Sequence, residues 1–190
     1  MQTDYLFDYS ESEIERIRRQ AEMLRPITQR LLISAGLRKC MRVLDIGCGA
    51  GDVTMLVAGL VGPTGHVVGI DRDEAVIGAA RRRINERGLR NVDFAQHDAE
   101  TYEGPDCFDA AICRYVLIHQ IDPVRFLRAA REHVRPGGIV AVHEMDSTRG
   151  VLRDVANSSS SNHPALRTLG QTVRLLLKGC QFKVFRRPLA

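Results

Sequence analysis

The feature that most constrains this chain is the stretch VLDIGCGAGDVT, which runs from Val43 to Thr54. A short run of strand-forming residues leads through Asp45 into a turn with a glycine at every second position. A strand that passes through such a turn into a helix brings backbone N–H groups and the helix N-terminus close to a ligand. The stretch therefore predicts a nucleotide-type ligand, and leaves open which one.

The rest of the chain alternates between helix and strand patterns. A first helix is expected from Glu11 to about Leu37, with a kink or a break into two helices at Pro26. Strands are then expected at Arg42–Ile46, His66–Asp71, Val92–Gln96, Phe108–Arg114 and Ile139–Glu144, and helices at Asp52–Val61, Glu74–Gly88 and Pro123–Val134. This alternation predicts an α/β fold, a Rossmann-like, doubly wound, mostly parallel sheet with helices on both faces.

Three segments are expected along the chain. Residues 1–40 form an N-terminal helical segment, and residues 41–147 form the ligand-binding core. Residues 148–190 combine a serine-rich linker, a helical pattern at Ala165–Leu177 and one strand-like piece at Phe182–Phe185. The loops that follow the parallel strands lie along one edge of the sheet, and ligand chemistry is expected there.

Composition excludes several classes of function. No run of about 18 apolar residues and no secretory signal pattern is present, so we expect a cytoplasmic protein without a membrane span. The five cysteines lack metal-ligand spacing, which predicts reduced thiols and no metal site. The net charge of +4 is modest and aromatic residues make up only 5% of the chain, which argues against a nucleic-acid binder.

The glycine turn does not match the pattern of a dinucleotide site. Dinucleotide folds carry G-x-G-x-x-G, whose third glycine lies where the helix N-terminus faces a pyrophosphate. Here the third position is taken by Asp52, and a carboxylate there would repel phosphate. The pattern therefore argues against a dehydrogenase that uses NAD.

Three aspartates at strand ends point to a cationic nucleoside. Asp45, at the mouth of the first strand, suits a ligand with positive charge. Asp71 ends the second strand, where an acid can accept hydrogen bonds from two ribose hydroxyls, and Asp98 follows the third, where an acid can accept an adenine amino proton. S-adenosylmethionine has an ammonium group, a ribose diol, an adenine and no phosphate.

Several motifs of the sequence together resemble those of a known family. The motifs VLDIGCGAG, VVGIDRD, FAQHDAE, FDAAICRYVLIHQIDP and VRPGGIVAVHE have the order and spacing found in class I S-adenosylmethionine-dependent methyltransferases. The resemblance is strongest to the small-molecule branch that includes ubiquinone/menaquinone-biosynthesis enzymes. It extends over about Met41 to Asp146 and implies methyl transfer to a small-molecule acceptor.

The resemblance also implies roles for individual residues. The cofactor-binding residues would be Asp45, Gly47, Gly49, Gly51, Asp71, Arg72, Asp98, Ala99 and Arg114. The glycine loop and Asp45 would surround the methionine part, and Asp71 would bind the ribose. Arg72, Asp98 and Ala99 would lie at the adenine, and the Arg114 backbone near the transferring methyl.

Several of these residues also allow a purely structural interpretation. Asp71 could instead cap the next helix, a role for which Asp73 competes, and Asp98 could be a solvated loop acid. His119 is a candidate general base, although a single histidine in VLIHQ could equally be a packing residue. Tyr5 and Tyr9 could close over the cofactor or could simply pack.

The C-terminal segment departs from the family pattern. The family continues past the fifth strand into a hairpin of two more strands, whereas only one strand-like piece is evident here. We expect the seventh strand to be missing, so that a second copy of the chain could cover the sheet edge as a homodimer. The alternative to an active methyltransferase is then a truncated remnant that binds S-adenosylmethionine without turnover.

Overall fold

The structure, a computed structural model, describes residues 11–104, 107–145, 172–177 and 180–187. It contains four α-helices and seven strands in these ranges. The helices are α1 (Glu11–Ala35), α2 (Asp52–Val61), α3 (Glu74–Glu86) and α4 (Pro123–Glu132). The strands are β1 (Arg42–Ile46), β2 (His66–Asp71), β3 (Val92–Gln96), β4 (Phe108–Arg114), β5 (Val134–Met145), β6 (Thr172–Leu177) and β7 (Cys180–Arg186).

The strands form one sheet in the order β3-β2-β1-β4-β5-β7-β6. Strands β1 to β5 are parallel to one another, and β7 is antiparallel to both β5 and β6. The predicted α/β fold with a doubly wound, mostly parallel sheet is confirmed. Because β1 lies between β2 and β4, the loops after these three strands meet at one edge of the sheet.

Both faces of the sheet are covered by apolar contacts, as expected for parallel strands. On one face, α1, α2 and α3 pack against alternate strand residues such as Val43 and Val67. On the other face, α4 packs through Phe126 and Leu127 against residues such as Leu44. Val43 and Leu44 are consecutive residues of β1 and pack on opposite faces of the sheet, in keeping with the two-residue period of a strand.

The expected helix at Ala165–Leu177 is wrong over its described part. Thr172–Leu177 is strand β6, and residues 165–171 lie outside the described residues. The run TVRLLL is short and apolar, a pattern that helix and strand share, and here pairing with β7 favours the strand.

The expectation that the seventh strand is missing is also wrong. Seven strands are present, and β7 pairs along β5 from Ile139↔Arg186 to Met145↔Cys180. The edge of β5 that was expected to be exposed is therefore covered by the chain's own C-terminal hairpin. The argument for a homodimer loses this support.

Two smaller expectations also need correction. Of the kink or break expected at Pro26, the break is wrong, because helix α1 is continuous through this residue. Strand β5 begins at Val134 rather than Ile139, and the Pro136–Gly138 turn is an irregularity within the strand where the register against β4 shifts.

Candidate functional site

A cavity of about 320 Å³ opens at the edge of the sheet where β1, β2 and β4 end. Its lining includes the glycine loop after β1, the ends of β2 and β4, and the segment after β3. Asp45, Gly47, Gly49, Asp71, Arg72, Ala99, Arg114 and His119 all line it. The structure thus brings most of the residues singled out from the sequence to one cavity.

The three glycines of the loop all adopt left-handed backbone conformations, with φ values of 68°, 54° and 82° for Gly47, Gly49 and Gly51. A Cβ on Gly47 would lie 2.5 Å from Val116 Cγ2, and one on Gly51 would lie 2.6 Å from Phe94 Cζ. A Cβ on Gly49 would meet nothing within 4 Å. Gly47 and Gly51 are therefore required by packing, whereas Gly49 leaves room beside the cavity.

Asp71 ties the loop to the end of β2. The Gly49 N–H donates to Asp71 Oδ2 at 2.9 Å, and the Asp73 N–H donates to Oδ1 at 3.2 Å. Burial raises the pKa of Asp71, and these backbone hydrogen bonds oppose the rise. Asp73, by contrast, caps α3 by accepting from the Ala75 and Val76 N–H groups, so Asp71 does not serve as that cap.

Asp45 is a fully buried carboxylate beneath the loop. It is 1% exposed, and its Oδ2 accepts a 2.6 Å hydrogen bond from the Thr54 hydroxyl. Burial raises the pKa of Asp45 to about 7, against the lowering effects of Thr54 and of the nearby Arg114. This carboxylate would gain from a positively charged ligand group, which would return it to the ionised form.

Asp52 places a third acid at this edge, at the first residue of α2. Its Oδ1 pairs with Arg83 at 2.6 Å, and Arg83 also donates to the Ala50 carbonyl. The helix N-terminus that would face a pyrophosphate in a dinucleotide site is therefore already occupied by a paired carboxylate.

The residues expected at the adenine divide into two groups. Arg72 and Ala99 line the cavity together with His97. Asp98 does not line it: one oxygen pairs with Arg72 at 2.9 Å, and the other accepts the Glu100 N–H at 2.8 Å. The structure therefore places Asp98 behind Arg72, where it can orient the guanidinium.

The segment after β4 packs against the glycine loop and forms another part of the cavity wall. Tyr115 has a left-handed φ of 60°, and its N–H donates to the His143 carbonyl at 2.9 Å. The N–H groups of Val116 and Leu117 both donate to Glu144 Oε1 at 2.8 Å. Glu144 is fully buried, and burial raises its pKa to about 7.

His119 lies at the end of a short 3₁₀ turn, Leu117–His119, on the rim of the cavity. Partial burial lowers its pKa, which favours the neutral imidazole near neutral pH. A neutral imidazole can accept a proton. The role of His119 as a general base stays a prediction.

Sequence reasoning missed the contributions that come from tertiary packing. Arg16, Ile17 and Gln20 of α1 line the cavity, although nothing in the helical pattern distinguishes them. Thr54 falls within the helical pattern of α2, and its role as the donor to Asp45 depends on the fold. Tyr5 and Tyr9 lie outside the described residues.

The described residues contain neither a cluster of metal ligands nor a membrane-spanning helix. No group of three or more His, Cys, Asp or Glu side chains in residues 11–104, 107–145, 172–177 and 180–187 could hold a metal ion. Within the same part of the chain, no helix is long and apolar enough to cross a membrane.

Comparison with known proteins identifies relatives. Residues 37–181 match the family described as "Methyltransferase domain". The ubiquinone/menaquinone biosynthesis C-methyltransferase UbiE of Pseudomonas entomophila is 34% identical over 129 residues, which are 67% of this chain and 50% of that protein. UbiE of Coxiella burnetii is 34% identical over 110 residues, 57% of this chain and 44% of that protein. The chain thus spans about half the length of these curated relatives.

Solved structures share the fold. A methyltransferase from Aquifex aeolicus described as SAM-dependent superposes with a TM-score of 0.74 at 20% identity and covers 94% of this chain and 98% of that chain. A putative S-adenosyl-L-methionine-dependent methyltransferase from Methanococcus maripaludis gives 0.78 at 11% identity, with coverage of 100% and 99%. The family match, together with this fold, confirms the resemblance found in the sequence motifs. The chain belongs to the class I S-adenosylmethionine-dependent methyltransferases.

Proposed function

We propose that this chain binds S-adenosylmethionine in the cavity and transfers its methyl group to a small organic acceptor. The observation that carries the proposal is the convergence of Asp45 and Asp71 on one cavity from the ends of adjacent parallel strands. Burial disfavours the ionised form of both carboxylates. A ligand that brings a positive charge and hydroxyl donors would stabilise that form. The two carboxylates are unsuited to a phosphate.

Each part of the cofactor has a chemically matched part of the cavity. The glycine loop and Asp45 suit the cationic methionine end, and Asp71 suits the ribose diol. The planar Arg72 guanidinium, held by Asp98, suits an aromatic ring system together with Ala99. The space beside Gly49 lets the ligand approach the backbone closely.

The cofactor supplies an electrophilic methyl group on a sulfonium, so the chain itself needs little acid–base power. Its residues contribute position: correct placement of two reactants can supply roughly 7–11 kcal/mol of a barrier. Ile17, Val116 and Phe126 provide apolar lining that excludes water from the reacting centre. His119, which lines the cavity, would accept the proton that an acceptor loses.

The acceptor is proposed to be a quinone-type or phenolic ring. The curated relatives are named as C-methyltransferases of ubiquinone/menaquinone biosynthesis, and each is matched over about half its length. The apolar lining suits a flat organic ring, and His119 could deprotonate it.

Calorimetric titration tests the cofactor. We expect S-adenosylmethionine and S-adenosylhomocysteine to bind and NAD not to bind. Asp71→Asn, which removes the charge but keeps the shape, should weaken S-adenosylmethionine binding by about 1–3 kcal/mol. Asp73→Ala is the matched control, since it removes the α3 cap and should leave affinity within about twofold while lowering stability by about 1 kcal/mol. Tight NAD binding would contradict the proposal.

Release of S-adenosylhomocysteine tests turnover. The acceptor panel should include reduced quinones, phenols, thiols, amines and arsenite, with product masses measured to locate the methyl. Turnover with a ring acceptor supports the proposed reaction. Binding of S-adenosylmethionine with no release across the panel would favour the remnant that binds without transferring.

A further inference from the structure

Arg114 brings to the cavity wall a positive charge that no carboxylate of the described residues pairs with. It ends β4, is partly buried, and its Cζ lies 5.8 Å from the centroid of the Tyr115 ring. Within the described ranges of the chain, no residue forms a hydrogen bond or an ion pair with this guanidinium. Withdrawing a guanidinium from water without acceptors is unfavourable, so this position suits an acceptor brought by a ligand.

Two other arginines near the cavity are already neutralised. Arg72 pairs with Asp98 at 2.9 Å, and Arg83 pairs with Asp52 at 2.6 Å. Arg114 lacks such a pair, and burial lowers its pKa. Among these three arginines, it is therefore the one whose charge is available to a ligand.

Asp45 is the carboxylate that acts most strongly on the charge of Arg114. The guanidinium lowers the pKa of Asp45, and the carboxylate in turn opposes the lowering of the Arg114 pKa. The Asp45 oxygen atom Oδ2 is bonded to Thr54 rather than to Arg114. The cavity is thus lined by a carboxylate and a guanidinium that influence each other without forming an ion pair, which complements a zwitterion.

We propose that the Arg114 guanidinium binds the carboxylate at the amino-acid end of S-adenosylmethionine, while Asp45 faces its ammonium group. The inference rests on the proposed function, and it assigns to the Arg114 side chain a role that the family resemblance gives only to the backbone. An α-amino acid carries both charges on one carbon, which matches adjacent side chains of opposite sign. A guanidinium also offers paired N–H groups that fit a carboxylate.

The test compares S-adenosylmethionine with its decarboxylated analogue, S-adenosylmethioninamine, by calorimetry on the full chain. Both carry the sulfonium, the ammonium and the nucleoside, so the ratio of their affinities reports the carboxylate alone. The wild-type chain should prefer S-adenosylmethionine roughly tenfold to a hundredfold, the scale of hydrogen bonds to a charged group. Arg114→Gln should bring that ratio close to one, and Arg114→Lys should restore part of it.

The ratio also separates the direct role from an indirect one through Asp45. Loss of Arg114 raises the pKa of Asp45 and weakens ammonium binding, but this affects both ligands equally. Arg16→Gln is the matched control, since Arg16 also lines the cavity, and it should keep the wild-type ratio. If Arg114→Gln keeps the ratio, or if Arg16→Gln abolishes it, the assignment is overturned. Failure of the wild-type chain to bind either ligand would instead contradict the proposed function.

An acid group on the methyl acceptor is the other carboxylate that Arg114 could meet. The test uses acceptors from the panel that carry a carboxylate and acceptors that do not. Arg114→Gln should change the KM for both kinds of acceptor by the same factor. A KM rise confined to the acid-bearing acceptors, with the cofactor ratio intact, would overturn the assignment to the cofactor. Thermal unfolding of each variant checks that the fold persists.

Discussion

The hydroxyl of Thr54 donates a 2.6 Å hydrogen bond to the carboxylate of Asp45, and both side chains are almost completely buried. Thr54 lies in the first turn of α2, so the helix that follows the glycine loop supplies the donor that the strand before the loop needs. This hydrogen bond therefore joins the residue before the glycine loop to a residue after it. A buried carboxylate without a donor is costly, which makes this contact important for the fold as well as for the site.

Thr54→Val tests this contact because it keeps the shape of the side chain and removes the donor. We expect a loss of about 1–3 kcal/mol in the free energy of unfolding, measured by urea denaturation. The penalty should be larger at pH 8 than at pH 5, since the hydrogen bond favours the ionised form of Asp45. Thr54→Ser keeps the donor, and its penalty should not depend on pH. A penalty for Thr54→Val that is the same at both pH values would sink the assignment.

The pKa of Asp45 also predicts how cofactor affinity depends on pH. With a pKa of about 7, Asp45 is largely protonated at pH 5.5 and increasingly ionised by pH 7.5. Because only the ionised form attracts an ammonium group, affinity for S-adenosylmethionine should rise over this range, by at most about tenfold per pH unit. The range stays below the pKa of an α-amino group, about 7.7–8.0.

The variant Asp45→Asn isolates this effect. It should bind S-adenosylmethionine weakly and with much less dependence on pH, as measured by calorimetry. Proton release on binding, measured in buffers of different ionisation enthalpy, should disappear in the same variant. An affinity in the wild-type chain that is flat from pH 5.5 to 7.5 would show that Asp45 does not face the ammonium group.

Gly47 and Gly49 should respond differently to alanine. Both have positive φ, which costs a residue with a Cβ about 1–2 kcal/mol. A Cβ on Gly47 would also lie 2.5 Å from Val116 Cγ2, whereas one on Gly49 meets nothing within 4 Å. Gly47→Ala should therefore lose about 1–3 kcal/mol more stability than Gly49→Ala, and Gly49→Ala should mainly weaken binding.

Val116→Ala provides the check on this reasoning. In a double-mutant cycle measured by denaturant unfolding, it should relieve part of the cost of Gly47→Ala and none of the cost of Gly49→Ala. The crowding explanation requires this difference. Equal costs for the two glycine variants, with no coupling to Val116, would mean that the loop shifts away from the segment after β4.

The sequence carries the part of this fold that depends on local patterns. The bounds of β1, α2, β2, β3 and β4 agree with the expectation residue for residue, since apolar strand runs end at turns marked by glycine, proline and aspartate. Thr172–Leu177 shows the limit. An apolar run of six residues fits a helix or a strand, and pairing with β7 decides.

The site shows the same division between local and tertiary information. Asp45 and Asp71 could be brought together from the sequence because parallel strands end at one edge. The contact of Thr54 with Asp45 and that of Glu144 with the segment after β4 join residues through packing that no spacing encodes. Asp98 follows the end of β3 as expected, but one of its oxygens forms an ion pair with Arg72 that the sequence does not predict.

Glu144 provides a prediction for stability against pH. Its Oε1 accepts the Val116 and Leu117 N–H groups, while Oε2 is buried without a hydrogen-bond partner among the described residues. Burial raises its pKa from 4.5 to about 7. Between these values the folded chain holds a proton that the unfolded chain releases. Glu144 therefore lowers stability progressively as pH rises from about 4.5 to about 7, by at most about 1.4 kcal/mol per pH unit.

Glu144→Gln keeps an oxygen for the two N–H groups and removes the titration. The difference in unfolding free energy, wild type minus Glu144→Gln, should fall as pH rises from 4.5 to 7 and level off above that range. Asp45 titrates in both proteins and cancels in the difference. Glu144→Ala leaves both N–H groups without their acceptor and should be less stable than Glu144→Gln at every pH, by about 1–3 kcal/mol. A difference curve that does not change with pH would show that Glu144 is ionised throughout, as it would be if its second oxygen had a donor.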